Sequence, residues 1–324
     1  MAAGTFLIVL IPSYQSIGLW APLLVLTGRL LQGFSAGAEL GGVSVYLAEI
    51  ATPGRKGFYT SWQSGSQQVA IMVAAAMGFD LNALMEESAI REWGWRIPFL
   101  LSSVLVLLGL WIRKDIDETP DFKKVKQSGQ VAKAPLRDTL KHHWREVLIA
   151  AGLKVVETAP FYIFSTFVVS YATTMLTYQK SQALEAVTLG ALVATVMIPL
   201  MGLLSDKIGR QRMYAASVFI LGLFIVPWFM LLNTGTTWGI VLATVIAFGV
   251  LWAPVTAVLG TLCSEIFSAN VRYTGITLGY QLGAALAGGT APLIATGLLA
   301  KYDGDWIPVA WYLAVTVVIS LIAI

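Results

Sequence analysis

Ten apolar stretches, each close to the length that crosses a bilayer, leave this chain of 324 residues few folds to choose from. They run over residues 1–14, 22–48, 58–79, 96–112, 147–176, 186–204, 213–232, 238–263, 274–300 and 308–324. Lipid offers the backbone no hydrogen bonds, so such stretches must be helices that bond their own N–H and C=O groups. Only 12% of the residues are charged and 57% are hydrophobic, whereas a soluble domain is about a quarter charged. The expected fold class is an all-α polytopic membrane protein.

The basic residues fall on alternate loops. If the chain weaves through the membrane at each stretch, fifteen lie on one side: Arg55 and Lys56, nine between Arg113 and Arg145, then Lys207, Arg210, Arg212 and Arg272. The other side holds four, Arg91, Arg96, Lys180 and Lys301. The rule that short cytoplasmic loops carry the excess of Lys and Arg puts the first set in the cytoplasm. Topology therefore accounts for the basic pI near 8.9, and no nucleic-acid partner is expected. The first stretch lacks a basic region ahead of it, so no cleavable signal peptide is expected. The single Cys263 lies in an apolar stretch, which excludes an intramolecular disulfide and points to a buried thiol.

Enzymatic chemistry finds no support. His142 and His143 follow Lys141 without the spacing of a metal site. There is no phosphate-cradling glycine loop ending in Lys-Ser or Lys-Thr, and no nucleophile–base pair. The expectation is a non-enzyme without metal or cofactor.

Residues 113–145 are polar and contain Pro120 and Pro135. They read as a cytoplasmic linker between a partial N-terminal helical bundle, residues 1–112, and a C-terminal bundle, residues 146–324. The two halves echo each other. Glu49-Ile50 is followed by Arg55-Lys56-Gly57, and 216 residues on Glu265-Ile266 is followed by Arg272-Tyr273-Thr274-Gly275. Gly33, Gly37 and Gly41 recur every four residues, as do Gly275, Gly279 and Gly283. Small residues at this spacing form a stripe where another helix approaches closely.

Four ionisable residues sit inside the apolar stretches: Arg29 and Glu39 in the second, Lys154 and Glu157 in the fifth. Each costs about 2.5–3.5 kcal/mol at mid-bilayer, so they mark either a polar pathway or bonds that lock the bundle. Lys154 and Glu157, three apart, share a helix face and can pair. Gln32, Glu39 and Tyr46 are spaced by seven on one face, with Arg29 set apart from Glu39. Gln63, Ser64, Gln67 and Gln68 form a polar stripe in the third stretch, and Tyr280 and Gln281 hold a similar place in the ninth. Tyr162, Tyr171 and Trp252 are suited either to a substrate or to packing.

The loop Gly202-Leu203-Leu204-Ser205-Asp206-Lys207-Ile208-Gly209-Arg210-Gln211-Arg212 resembles the signature loop of the major facilitator superfamily. Its Asp and Arg side chains are suited to cap helix ends and to latch one conformation. Arg29-Leu30-Leu31-Gln32-Gly33, Pro12-Ser13-Tyr14-Gln15 and Trp93-Gly94-Trp95-Arg96 look like the metabolite:proton symporter branch, with residues 7–79 closest to citrate and tricarballylate carriers. The resemblance covers essentially the whole chain. It implies two pseudo-symmetric bundles, about ten of twelve transmembrane helices, and a start inside the family's third helix and a stop inside its twelfth. It also implies alternating-access symport of protons with a small organic acid such as citrate by a monomer in the inner or plasma membrane. A proline- or betaine-like osmolyte is the alternative substrate, and a truncated, non-transporting fragment the alternative to transport. The pathway residues implied are Arg29, Gln32, Glu39, Gln63, Gln67, Lys154, Glu157, Tyr280 and Gln281, with Gly202, Asp206, Gly209, Arg210 and Arg212 as the latch and Glu39 first in line for proton coupling.

Overall fold

A computed structural model describes residues 1–115, 118–127 and 135–324. Parts of the predicted linker, residues 116–117 and 128–134, lie outside the described residues. Each of the ten apolar stretches coincides with a helix: α1 Ala2–Leu10, α2 Trp20–Ile50, α3 Lys56–Leu84, α4 Ile97–Asp115, α5 Trp144–Thr174, α6 Lys180–Ile208, α7 Arg210–Leu232, α8 Thr237–Ile266, α9 Arg272–Lys301 and α10 Ile307–Ala323. Six of the described helical stretches are long and apolar enough to cross a membrane: Gly94–Ile112 and α5 to α9. Helices α2 and α3 are as long but carry the polar residues noted above. The described residues of the linker include two short helices, Pro120–Gln127 and Pro135–His142.

The chain divides into two compact units. Met1–Leu40 with Ala70–Thr119 form the first, and Gly41–Val69 with Pro120–Ile324 form the second.

In the first unit, α1 ends where Pro12 forces the residue before it into an extended conformation; Ile11 has φ −66° and ψ 125°. The carbonyls left open there are taken by Arg96, which donates from Nε to Val9 O at 2.9 Å and from Nη2 to Ile11 O at 2.8 Å. Helices α1 and α2 meet at two glycines. A Cβ on Gly4 would sit 2.7 Å from Gly28 O, so the backbones touch at a distance no larger residue allows.

In the second unit, the core is aromatic: Trp228, Tyr171, Tyr214, Phe164, Phe167 and Phe229 are all fully buried. Helices α5 and α9 run parallel and pack through the glycine stripe. A Cβ on Gly279 would lie 2.5 Å from Ala150 Cβ, and one on Gly283 2.5 Å from Ala151 O. Gly275 is met by the ring of Phe267 and Gly41 by Thr277. The stripe expected on α2 is made only in part. Gly37 is buried, but Gly33 is exposed and a Cβ there would meet nothing within 4 Å among the described residues. Packing at Gly33 is thus a correction to the sequence reading, because regular spacing shows where a neighbour fits, not that one is there.

Three helices of this unit contain a π-turn: Ile163–Phe167 in α5, Val245–Leu251 in α8 and Ala284–Gly288 in α9. Pro160 and Pro254, which lack an N–H for the helical ladder, lie three residues from the first two.

Candidate functional site

Helix α5 carries Lys154 and Glu157 into the interior of the second unit, where one turn brings them together. Lys154 Nζ and Glu157 Oε2 are 2.5 Å apart, with side chains 14% and 10% exposed. The helix backbone is braced at this depth. Ser320 of α10 donates to Gly152 O at 2.6 Å and accepts from Val156 N at 3.1 Å, bridging two groups about one helical turn apart. Tyr214 donates to Leu153 O at 2.5 Å.

Every acceptor atom of Glu157 has a partner. Oε2 takes Lys154 and the Thr158 hydroxyl at 2.9 Å; Oε1 takes the Thr256 hydroxyl at 3.0 Å; its backbone carbonyl takes the Trp252 indole N–H at 2.6 Å. Lys154 lies over the Tyr280 ring, 4.8 Å from its centre. Gln63, Ser64 and Gln67 of α3 complete the wall. The free space between these groups is about 10 Å³, far below the several hundred Å³ of a small-molecule site. An isolated charge in such a place costs several kcal/mol, and the pairing offsets that cost. What the arrangement supplies chemically is a buried cation matched to a single buried carboxylate.

Among the expected pathway residues, Lys154, Glu157, Gln63, Gln67 and Tyr280 meet here. Gln281 does not: it is exposed, since consecutive residues on a helix point about 100° apart. Thr256 was not foreseen from the sequence, where one Thr in an apolar helix carries no signal. Tyr171 is buried core, hydrogen-bonded to Asn233 at 3.2 Å, and the Trp252 ring packs against Phe161 and Phe248 at 5.3 and 5.2 Å.

Arg29, Gln32 and Glu39 belong to the first unit. Arg29 is exposed and donates to Gln32 Oε1 at 3.3 Å; Gln32 donates in turn to Thr5 Oγ1 at 2.8 Å. Glu39 lines a cavity of about 520 Å³ with Thr5, Ser35 and Ser102. The separation of Arg29 from Glu39 follows from their spacing.

The signature loop is a one-residue joint. Gly209, at φ +94°, ends α6 and starts α7 in a conformation that favours glycine. It leaves Asp206 in the last turn of α6, where the carboxylate accepts from Gly57 N at 2.8 Å and Phe58 N at 3.0 Å. Those are open amides of the first turn of α3, so Asp206 caps a helix 149 positions away. The approach needs small residues on both sides, and Gly202 and Gly57 each face the other's carbonyl, with a Cβ on either meeting it at 2.6 Å. Arg210 pairs with Asp206 at 3.0 Å and reaches Glu265 at 3.6 Å, while Arg212 is exposed. The two echoed segments meet as well, through Glu49 and Arg272 at 2.5 Å.

Comparison with known proteins adds three findings. The family profile described as Major Facilitator Superfamily matches residues 1–292. Citrate-proton symporters of Klebsiella pneumoniae and Salmonella typhi are 44% and 38% identical over 323 residues, covering 100% of this chain and 72% and 74% of those relatives. A solved proton:xylose symporter, bound to a sugar analogue, has a TM-score of 0.73 at 15% identity over 99% of this chain and 77% of its own. At that identity the likeness is one of fold.

Proposed function

This chain belongs to the major facilitator superfamily, and we propose that it carries a small organic acid, with citrate as the first substrate to test, together with protons by alternating access. The observation that carries this reading is the buried Lys154–Glu157 pair. With Glu157 ionised, its charge is matched to Lys154 and the site has no net attraction for an anion. A proton on Glu157 removes that match and frees Lys154 to hold a substrate carboxylate. Proton and organic acid then favour each other's binding, which is the coupling a symporter needs. Gln63, Gln67 and Tyr280 are placed to orient the rest of the substrate once the small space between them widens. Arg29, Gln32 and Glu39 are proposed as a second polar station in the first unit. The Asp206–Arg210 cap and the Glu49–Arg272 bridge serve as latches that alternate access must break. The two-bundle division at a 113–145 linker, the monomeric state and a place in the bacterial inner membrane are parts of the same proposal.

A zwitterionic osmolyte is the second reading. A quaternary-ammonium ligand needs open aromatic faces, whereas the Trp252 ring is packed against Phe161 and Phe248 and its N–H is committed to Glu157 O. The organic-acid reading is therefore preferred. The test is calorimetric titration of the purified protein with citrate in buffers of different ionisation enthalpy. The expected result is one proton taken up per citrate bound, no uptake in Glu157→Gln, and lost binding in Lys154→Gln. Citrate binding without proton uptake, or unchanged in Lys154→Gln, overturns the proposal; betaine binding in place of citrate favours the second reading.

A further inference from the structure

We infer that Thr256 is a positioning residue whose single hydroxyl hydrogen is shared between Glu157 and Ser64, so that the charge on Glu157 sets how firmly α8 holds α3. The inference rests on the reading of Glu157 as the proton site.

Thr256 Oγ1 lies 3.0 Å from Glu157 Oε1 and 3.1 Å from Ser64 Oγ, and all three residues are buried. A hydroxyl has one hydrogen, so Thr256 donates to one of these acceptors at a time. Charge decides the choice. A hydrogen bond to a carboxylate is roughly twice as strong as one between neutral groups, so ionised Glu157 draws the hydrogen to itself. A neutral acid loses that advantage, and the hydrogen turns to Ser64. The Ser64 hydroxyl is meanwhile placed to donate to Thr256 O at 3.4 Å. The joint between α3 and α8 thus changes from one long hydrogen bond to two when Glu157 takes up a proton.

This joint is the charged end of a longer seam. One turn away on α3, the Thr60 and Thr261 hydroxyls bond each other across the same two helices. Ser44 and Thr60 also pack beside Gly260, at ordinary contact distance from where a Cβ would lie. Those contacts are between neutral groups and hold at any ordinary pH. Thr256 is where the seam meets a group whose charge changes.

Among the described residues, the titratable groups facing Glu157 from the packed helices are few. They are Lys154 on its own helix, Tyr280 on α9, Cys263 on α8 and Tyr214 on α7. Tyrosine and cysteine side chains are ordinarily neutral near pH 7, which leaves Lys154 and the Thr158 and Thr256 hydroxyls as the partners that respond to the charge on Glu157. Thr158 acts within α5, where its other acceptor is Lys154 O at 2.9 Å, so the link from Glu157 to α3 runs through Thr256.

Infrared difference spectroscopy of the substrate-free protein against pH tests this without requiring transport. The readout is the carbonyl band of a protonated carboxylic acid, assigned by its loss in Glu157→Gln. Thr256→Val removes a donor to the ionised form, so the band should persist to a pH about one unit higher, the tenfold worth of one charge-assisted bond. Ser64→Ala removes the competing acceptor, so the midpoint should move the opposite way, while Thr256→Ser stays with the native protein. A purely structural role for these residues does not produce shifts of opposite sign. Shifts in the same direction, or no shift in either variant, overturn the inference while leaving the proton reading intact. Absence from the native spectrum of any band that Glu157→Gln removes overturns the proton reading and this inference with it.

Discussion

Replacing Asp206 by Asn removes one charge from a helix cap and should be felt across the second unit. The carboxylate, 5% exposed, accepts from Gly57 N and Phe58 N and pairs with Arg210. Asn keeps one acceptor oxygen, so one of the two amides at the start of α3 faces an NH₂ group instead. Loss of such a cap is worth about 1 kcal/mol. The partner Arg210 is 23% exposed and has Glu265 at 3.6 Å, so the broken ion pair adds only about 1 kcal/mol after screening. The total, about 2 kcal/mol, corresponds to a fall in Tm of roughly 4–8 °C at the scale of larger domains. The molecule supplies its own reporter: Cys263 is the chain's one cysteine and is completely buried, so a thiol-reactive dye fluoresces only as the protein unfolds. Arg210→Gln, which leaves both amides capped, should cost about half as much. A melting temperature for Asp206→Asn within 1 °C of the native protein would refute the argument that the carboxylate caps α3.

Three further outcomes follow from the geometry. Lys154→Gln or Glu157→Gln alone leaves a buried charge unmatched and should destabilise by about 3 kcal/mol, whereas the double variant should return to within about 1 kcal/mol of the native protein; equal losses in singles and double would contradict the pairing. Arg96→Lys surrenders the two-pronged grip on Val9 O and Ile11 O, and amide exchange over residues 2–11 should quicken about tenfold, measured by mass spectrometry. Cysteines introduced at Glu86 or Asp303 should react with an impermeant maleimide added outside cells, and one at Lys207 should not; the reverse pattern would invert the orientation.

How much of this was legible in advance depended on whether a residue's role is local. The helices were legible because lipid leaves an apolar stretch no other way to satisfy its backbone. Lys154 with Glu157 was legible because three residues of separation fix a distance on a helix. The partners of Asp206 were not, since the amides it caps belong to a helix that begins 150 positions earlier and nothing in Lys56-Gly57-Phe58 announces an incoming carboxylate. Thr256 was missed for the same reason: hydroxyls in membrane helices usually bond their own backbone, and only the folded chain shows this one aimed at Glu157. Gly33 and Gln281 fit their patterns, but neither meets in the fold the neighbours those patterns led us to expect.

The π-turns have a consequence for tracing which residues of α5, α8 and α9 face lipid. A π-turn accommodates one extra residue, and each residue advances an α-helix by about 100°. A helical wheel started at Trp144 is therefore in phase only as far as Tyr162 and out of step from Val168 onward. The same break of phase falls between Thr244 and Trp252 and between Gly283 and Gly289. Each of these helices is two short wheels joined at an angle, and a one-residue insertion or deletion at the joint is the change by which a related chain could turn a different set of side chains inward without altering either half.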